Sequence, residues 1–454
     1  MKKRIFTLAL ALAMLVGLLA ACGPSDEPAP AQTPDAPAPA QDETTPATDD
    51  PPPATDDRIT LEFWHIQTAE PQVSIIERAV DRFMTANPQY DVNIVPILND
   101  NYKERILIAM AANEVPDIFI SWSGGPMIEY IEAGHIADIT DVFNESGLLD
   151  RYLEGGIAQA TYNGSIWGVP TESVAVASVF YNKEIFANLG LSVPETIGEL
   201  EEVADTLVEN GIIPFALANG PRWTGSFYYM YLATRYAGLE PFQNAVSGAG
   251  SFEHPSFEFA GDRIIDWVNR GFFAPGFNGN DEDAGQSRQL MYAELAAMHV
   301  MGNWFVGQMM GENEEFIDKV GVFAFPAYEN SNAHPDIAIG TAGDNFYHVS
   351  STSSSLQGAF DLIMFLLDDQ AVEERVAAGM IPPVRGIEPD LPLTRDVMAI
   401  IQRAPEVQLW YDQFLPPEVA QVHLSTSQAL FGLSTTPQEA NAEMQAAIEA
   451  YRNR

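Results

Sequence analysis

The stretch that decides the fold is ITLEFW, residues 59–64, in which apolar and polar residues alternate as in a half-buried β-strand. Periodicity and strand-forming residues then predict a helix at 73–84, a strand at 90–95, a helix at 102–112 and a strand at 117–120. Strands that alternate with helices are typical of an open parallel sheet covered by helices. The fold class is therefore predicted to be α/β.

Tryptophans and small polar residues follow two of these predicted strands. The first strand leads into Trp64-His65-Ile66-Gln67, and the third leads into Ser121-Trp122-Ser123-Gly124. Ligands of open α/β sheets bind beyond the carboxyl ends of the strands, where these two segments meet. The sequence therefore predicts a binding site at this edge of the sheet.

The composition limits the function classes. The 454 residues carry a formal net charge of −41, so nucleic acid and anionic lipid surfaces would be repelled. A hydrophobic content of 46% supports a folded chain, and this length suits two lobes better than one core. The single cysteine rules out an intramolecular disulfide, and no motif for a metalloprotease, a nucleophilic serine or a phosphate-binding loop is present.

The start of the chain has the layout of an export signal. Lys2-Lys3-Arg4 precedes an apolar run from Phe6 to Ala21, which is shorter than the roughly 20 residues of a membrane-spanning helix. The ending Leu19-Ala20-Ala21-Cys22 resembles the bacterial lipobox, in which cleavage leaves a lipidated cysteine at residue one. Residues 1–21 are therefore predicted to be a signal peptide, with Cys22 as the lipid anchor. The alternative is a transmembrane helix with a buried cysteine.

Residues 22–57 are predicted to be a disordered linker. After Cys22 and Gly23 they are nearly all Pro, Ala, Asp, Glu, Thr, Gln and Ser, without an aromatic or branched aliphatic residue that could form a core. This segment would hold the folded part of the chain at a distance from the membrane.

A series of short motifs continues along the chain in a fixed order. They are Phe83-x-x-x-Asn87-Pro88, Pro116-Asp117-Ile118, Trp167-Gly168-Val169-Pro170, Phe180-Tyr181-Asn182-Lys183 and Gly302-Asn303-Trp304. Taken together, the series resembles extracellular solute-binding protein family 1, the sugar-capturing lipoproteins of ABC importers. The C-terminal stretch from Trp410 to Ala440 resembles the branch that handles di- and oligosaccharides.

The resemblance implies a two-lobed periplasmic-binding-protein-like fold of type II, with open sheets flanked by helices and the ligand in the cleft between the lobes. The N-terminal lobe would be residues 58–171 plus 336–381, and the C-terminal lobe would be residues 172–335 plus 382–454. The chain would cross between lobes near Glu172, Pro335 and Pro382. Binding would favour the closed form of the cleft.

Candidate ligand contacts follow from the chemistry of a sugar, which offers C–H faces to aromatic rings and hydroxyls to polar groups. The candidate rings are Trp64, Trp122, Trp223 and Trp304. The polar candidates are His65, Gln67, Ser123, Glu172, Asn303, Asp344 and Asn345. The last two end the segment 340–345, which resembles a glycine-containing turn that faces the ligand in the family. For each tryptophan the alternative is core packing, for Asp344 it is turn capping, and for Glu172 it is a solvated position at the hinge. Roles for Arg222, Arg385 and Trp410 stay open.

These observations predict a monomeric, non-enzymatic receptor without cofactor or metal. It would capture a neutral di- or oligosaccharide at the extracytoplasmic face of the bacterial cell membrane and deliver it to the transmembrane subunits of an ABC permease. Two alternatives remain at this point. One is a binder of another solute, such as a polyamine held by aromatic and acidic side chains. The other is a surface enzyme that cleaves glycans.

Overall fold

The computed structural model describes residues 58–454. Cys22, the predicted signal peptide (residues 1–21) and the predicted linker (residues 22–57) lie outside the described residues. Within residues 58–454, no helix is both long enough and apolar enough to cross a membrane.

Eleven strands occur in the described part of the chain. They are β1 (Ile59–His65), β2 (Tyr90–Pro96), β3 (Ile118–Ser121), β4 (Thr161–Tyr162), β5 (Ser165–Ile166), β6 (Val169–Asn182), β7 (Ile213–Phe215), β8 (Ala296–Gly302), β9 (Val320–Phe323), β10 (Ala338–Val349) and β11 (Val407–Gln408).

The helices fall into two groups along the described chain. Those before β7 are α1 (Gln72–Ala86), α2 (Asn99–Ala112), α3 (Gly125–Glu132), α4 (Thr140–Ser146), α5 (Glu154–Gln159), α6 (Lys183–Leu189) and α7 (Ile197–Glu209). Those after β7 are α8 (Trp223–Ala237), α9 (Glu240–Ser247), α10 (Pro255–Asn269), α11 (Gln286–Tyr292), α12 (Trp304–Glu312), α13 (Leu356–Phe365), α14 (Asp369–Ala377), α15 (Pro392–Arg403), α16 (Tyr411–Phe414), α17 (Pro417–Phe431) and α18 (Pro437–Arg452).

Two long strands, β6 and β10, lie in the middle of the main sheet. The strand order is β2-β1-β3-β10-β6-β8-β7, with β9 also paired to β6 and β11 to β10. The first three strands are parallel to one another, whereas β10 is antiparallel to both β3 and β6. The first half of β6 pairs with β10, and its second half pairs with β8 and β9. The predicted α/β class, with strands alternating with helices around Ile59–Ser121, is confirmed.

Two large hydrophobic cores lie on either side of these shared strands. One core draws on residues 61–169, 346–367 and 384. The other draws on residues 174–339, 381 and 393–448. The protein is therefore two-lobed, and we call the lobe with the first core lobe 1 and the other lobe 2. The chain changes core within β6, within β10 and again between residues 367 and 393, where Ile381 packs in the second core and Val384 in the first.

A buried polar network ties these crossing segments together. The Tyr347 hydroxyl on β10 donates a 2.7 Å hydrogen bond to Oε1 of Glu172 on β6. Oε2 of Glu172 lies 4.0 Å from Nε of Arg375 on α14, and both side chains are almost fully buried. Arg375 in turn donates through Nη1 to the backbone oxygen of Leu366. The carboxylate of Glu172 is therefore compensated inside the protein at the junction of the lobes.

Side-chain caps explain where several helices begin. The Thr196 hydroxyl accepts from the backbone N–H of Glu199 at the start of α7. Asn182, the last residue of β6, accepts two backbone N–H groups at the start of α6. Thr436 and Glu439 form a reciprocal capping box at α18. These caps sit at sequence positions where a strand or turn gives way to a helix.

Candidate ligand-binding site

A cavity of about 400 Å³ lies between the lobes, a volume within the ordinary range of small-molecule sites. Its walls come from the loops after β1 and β3, the start of α2, a bulge in β10, and the N-terminal parts of α8 and α12. The segment Trp410–Gln413 closes one side. The site therefore draws on both lobes and on a strand that connects them.

The lobe 2 wall is a continuous group of four aromatic rings, formed by Trp223, Phe227, Trp304 and Trp410. Ring centroids are 4.7 Å apart for Phe227 and Trp410, and 5.4 Å apart for Trp223 and Phe227. Trp304 lies 6.0 Å from Trp223 and 6.1 Å from Trp410. Most of these pairs are tilted or edge-to-face, which is the arrangement that aromatic quadrupoles favour. We call these four residues the aromatic wall.

Asn303 fixes the direction of Trp304. Its Oδ1 accepts the backbone N–H of Val176 at 2.8 Å, and its Nδ2 donates to the backbone oxygen of Val174 at 3.0 Å. Both partners belong to β6, so the amide ties the end of β8 to the neighbouring strand. Trp304 begins α12 immediately afterwards, with its ring partly exposed at the cavity.

An ion-pair network lies beside the aromatic wall. Nη1 of Arg288 donates to Oε1 of Glu282 at 3.0 Å, and Nη2 donates to Oε1 of Glu312 at 2.9 Å. Ser287 donates to the other oxygen of Glu282, and the Tyr292 hydroxyl donates to Glu312. Burial raises the pKa of the Glu282 carboxyl to about 7, although the nearby Arg288 charge opposes the shift. Arg288 is therefore fully engaged by the protein itself.

The lobe 1 wall has a different make-up. Trp122 follows β3 and rests edge-to-face on Tyr102, at a centroid distance of 6.2 Å. Nζ of Lys103 lies 5.1 Å from the Trp122 ring centroid, and Gln67 and Gln72 add amide groups. This wall has one ring, one ammonium and long polar side chains.

A bulge in β10 directs Asp344 and Asn345 to the cavity. The pairing of β10 with β6 shifts register on both sides of Asp344, and Asn345 has a left-handed φ of 57°. Bulges commonly re-aim side chains at functional sites. Burial raises the pKa of the Asp344 carboxyl to about 7; the Glu172 charge adds to the shift and the Lys103 charge opposes it. At neutral pH this carboxyl can therefore both donate and accept hydrogen bonds.

Two lining amides carry buried oxygens with no hydrogen-bond partner among residues 58–454. These are Oδ1 of Asn345 and Oε1 of Gln308. Buried polar atoms in folded proteins almost always have a partner, so a donor from outside the chain, such as water or a ligand, is expected at each of them. The cavity thus combines aromatic faces with unpaired acceptors.

Six of the sequence-predicted residues line the cavity together: Gln67, Trp122, Trp223, Trp304, Asp344 and Asn345. Trp410, whose role the sequence left open, joins them in the aromatic wall. Arg222 and Arg385 lie elsewhere. Arg222 donates to Ser425 and Gln421 on α17, and Arg385 donates to the backbone oxygen of Asp150.

Five predicted residues are placed outside the cavity lining, each in a structural setting. Trp64 is 7% exposed and donates to Glu62, while Arg105 lies over its ring. Nδ1 of His65 accepts the backbone N–H of Gln67, and burial lowers the pKa of this imidazole to about 4. Ser123 is buried, Glu172 belongs to the network between the crossing strands, and Asn303 braces Trp304.

Several lining residues were not predicted from the sequence, chiefly Lys103, Phe227, Glu282, Asp283, Arg288, Gln308, Glu312, Asp412 and Gln413. Asp412 and Gln413 stand in the segment that carried the resemblance to the oligosaccharide branch, so that motif was a usable signal. Lys103 lies in the second turn of a helix that follows a strand, near the edge of the sheet already expected to bind. No comparable signal marks Gln308 or Glu312.

The cavity lining combines aromatic rings with amide and carboxyl side chains. Within residues 58–454, no group of three or more His, Cys, Asp or Glu side chains is arranged to hold a metal ion. The aromatic wall provides apolar faces, and the unpaired amides and carboxylates provide rim contacts for hydroxyl groups.

Comparison with known proteins places the chain in a family. Residues 68–373 match the family model of bacterial extracellular solute-binding proteins. A solved protein from a study of xylan utilization by the thermophilic bacterium Caldanaerobius polysaccharolyticus is 30% identical and superposes with a TM-score of 0.81 over 86% of this chain and 99% of that one. A solved chitin oligosaccharide binding protein, 23% identical over 88% of this chain and all (100%) of its own, has the same fold with a TM-score of 0.81.

Two relatives add to this comparison. The multiple sugar-binding protein of Streptococcus mutans is 25% identical over 343 residues, which are 73% of this chain and 77% of the relative. An uncharacterized ABC transporter extracellular-binding protein of Pyrococcus horikoshii is 25% identical over 272 residues, and the match covers 59% of this chain and 60% of the archaeal protein's length. The chain belongs to the bacterial extracellular solute-binding protein family.

Proposed function

We propose that the protein is the receptor of an ABC importer for an oligosaccharide. The observation that carries this proposal is the cavity between the lobes, in which the aromatic wall faces Trp122 and the acceptor oxygens of Asn345 and Gln308 lack partners. Stacked rings bind the C–H faces of sugars, and unpaired acceptors take hydroxyl protons. Relatives named for sugar binding support the same substrate class.

The proposed ligand contacts are the six predicted residues that line the cavity, together with Phe227, Gln308 and Trp410. We assign lobe 1 to residues 58–171 plus 346–380 and lobe 2 to residues 172–339 plus 390–454, because the two hydrophobic cores divide there. The segments between these ranges would act as the hinge. The protein would work as a monomer and without catalysis, and closure of the lobes would be the signal that the importer recognises.

We also propose that Cys22 is lipidated and tethers the protein outside the membrane. The lipobox-like segment Leu19–Cys22 and the Pro/Ala-rich linker support this reading. Replacement of Cys22 by Ser should abolish the incorporation of radiolabelled fatty acid into the protein in the expressing bacterium. Label retained by the Cys22→Ser variant would contradict the anchor.

The experiment that tests the binding function is a thermal-shift screen with xylotetraose, chitotetraose, raffinose and spermidine. A receptor should show saturable stabilisation with one sugar class and no product formation, since a ligand that binds only the folded state at 100 times its Kd adds about 2.7 kcal/mol. Stabilisation by spermidine alone would overturn the sugar assignment. Release of shorter sugars over hours would instead identify a glycan-cleaving enzyme.

A further inference from the structure

Lys103 places a positive charge between the tryptophans of the two walls. Its Nζ lies 5.1 Å from the ring centroid of Trp122 in lobe 1 and 6.0 Å from that of Trp223 in lobe 2. Its nearest carboxylate oxygen, Oδ1 of Asp100 on the same helix, is 3.9 Å away, so the ammonium contacts both ring faces and one carboxylate at the edge of salt-bridge distance. Such a position over aromatic faces is the one that a cationic ligand takes in an aromatic cage.

The rest of the cavity would attract cations. Its described lining contains five carboxyl side chains, Glu282, Asp283, Glu312, Asp344 and Asp412. Lys103 and Arg288 are the basic residues of that lining, and Arg288 forms ion pairs with Glu282 and Glu312. Among these lining residues, Lys103 therefore carries the positive charge that Glu282 and Glu312 do not neutralise.

The positive charge of Lys103 also acts on cavity-lining acids that belong to other parts of the fold. Its charge lowers the pKa of Asp344 on β10 and of Asp412 on α16, in both cases against a larger upward shift from burial. Lys103 therefore offsets the negative charge of the crossing strand and of lobe 2 as well as its own wall.

We propose that Lys103 is the specificity-determining residue that excludes cationic solutes from this cleft. The ammonium on its four-carbon chain occupies the place between Trp122 and Trp223 and neutralises part of the acidic lining. A polyamine would have to displace it and would meet its repulsion, whereas an uncharged sugar meets no such repulsion. This inference rests on the proposed function only in taking the cavity as the ligand site.

The test uses spermidine and the full-length protein with Lys103→Met, which keeps an unbranched chain of similar length but removes the charge. Calorimetric titration at low ionic strength should show at least tenfold tighter spermidine binding than in the unsubstituted protein, equivalent to about 1.4 kcal/mol. Lys103→Gln, a second neutral variant, should show the same gain, which guards against a folding defect in either one. Circular dichroism and the melting temperature check the fold of both.

Arg105→Met is the matched control, because Arg105 lies on the same helix but contacts Trp64 outside the cavity. It removes one positive charge as well, and its spermidine affinity should stay within about twofold of the unsubstituted protein. Equal spermidine affinity with and without the Lys103 charge overturns the inference, and so does an equal gain in Arg105→Met. Neither result depends on finding the sugar, so the proposed sugar function succeeds or fails separately in the thermal-shift screen.

Discussion

The two walls of the cleft differ in how they are held. The aromatic wall of lobe 2 consists of rings packed on one another, with the buried Arg288–Glu282 pair and the partly exposed Arg288–Glu312 pair beside it. The wall of lobe 1 carries one tryptophan and the long side chains of Gln67, Gln72 and Lys103. One wall is thus fixed by its own packing, and the other presents side chains that can rotate.

Because of this difference, we expect the two walls to contribute differently to affinity and to discrimination among sugars. Rigid rings lose little entropy when a sugar stacks on them, so lobe 2 should supply most of the affinity. Flexible polar groups adjust to the hydroxyl pattern, so lobe 1 should contribute more to discrimination among sugars. Four sets of substitutions can break or sharpen this comparison.

The largest expected effect is on stability, from Arg288→Met in the network beside the aromatic wall. The substitution leaves Glu282 and Glu312 without their shared partner, and loss of one partner of a buried pair costs roughly 3–5 kcal/mol. We expect about 3 kcal/mol, because Glu282, whose pKa burial already raises to about 7, can take up a proton. Urea unfolding measures the loss in free energy of unfolding.

Arg78→Met serves as the control for this loss. Arg78 pairs with Glu374 on the surface of lobe 1, with its side chain 48% exposed. Exposed pairs contribute no more than about 1 kcal/mol. Equal losses in the two variants would show that the ion pairs beside the aromatic wall add no special rigidity.

The second effect is on affinity, from Trp304→Ala compared with Trp122→Ala. Loss of a central aromatic contact typically costs about 2 kcal/mol or more, so Trp304→Ala should weaken sugar binding at least about thirtyfold. Trp122→Ala removes the single ring of the other wall and should cost about fivefold. Calorimetry with the sugar that gives the largest shift in the thermal screen provides both values.

Trp64→Phe is the control for these two substitutions. Trp64 lies outside the cavity, so its replacement should leave sugar affinity unchanged. If Trp122→Ala proved as damaging as Trp304→Ala, the two walls would contribute equally and the comparison would fail.

Trp64 and Trp122 also show how far the sequence could predict the site. Both follow strand-like segments, and the sequence predicted both as ligand contacts. In the structure β1 continues to His65, so Trp64 still lies within the ladder, paired with Val95 and bonded to Glu62. Trp122 comes after the last residue of β3 and is free to reach the cavity. The position of each tryptophan relative to the last residue of its strand therefore decides the outcome, and periodicity does not resolve boundaries that finely.

The fold was predictable because each long helix or strand shows its hydrophobic periodicity over many residues. The site depends on contacts between distant segments, such as the hydrogen bond from the Asp100 backbone N–H to Oδ2 of Asp283, 3.0 Å across the cleft. No local pattern marks either residue. Asp344 and Asn345 could be predicted only because a resemblance placed a ligand-facing turn there; the bulge that directs them arises from the pairing of β10 with β6.

The third effect concerns how closely lobe 1 and lobe 2 approach each other. A methyl group on Gly125, at the start of α3 in lobe 1, would clash with the backbone oxygen of Leu415 in lobe 2, and one on Gly311 of α12 would clash with the backbone oxygen of Glu70. Gly125→Ala and Gly311→Ala should therefore hold the lobes slightly apart. We expect about tenfold weaker sugar binding, or about 1.4 kcal/mol, without any change at the ligand contacts.

Small-angle X-ray scattering should show that sugar compacts the unsubstituted protein but not these two glycine variants. Gly279→Ala is the matched control, since a methyl group there meets nothing within 4 Å. Normal compaction in Gly125→Ala and Gly311→Ala would mean that neither contact limits closure.

The last effect is on the pH dependence of stability, from Asp344→Asn, on the strand that joins the two walls. Burial raises the pKa of this carboxyl from 3.8 to about 7, so between these pH values the folded protein binds more protons than the unfolded chain. Asp344 should therefore make the free energy of unfolding fall as pH rises from about 4 to about 7, with little change above. Asparagine removes this slope but keeps a neutral, hydrogen-bonding side chain.

The informative quantity is the difference in free energy of unfolding between the unsubstituted protein and Asp344→Asn, measured by urea unfolding at several pH values from 4 to 8. Burial lowers the pKa of His65 and His348 to about 4, and of His299 and His423 to about 3, so these groups produce an opposite slope below pH 6.5. Because all four histidines remain in both proteins, their slopes cancel in the difference. A difference that falls with pH and levels off near 7 would confirm that the pKa of Asp344 is raised in the folded protein, whereas parallel curves would mean that its pKa does not change on folding.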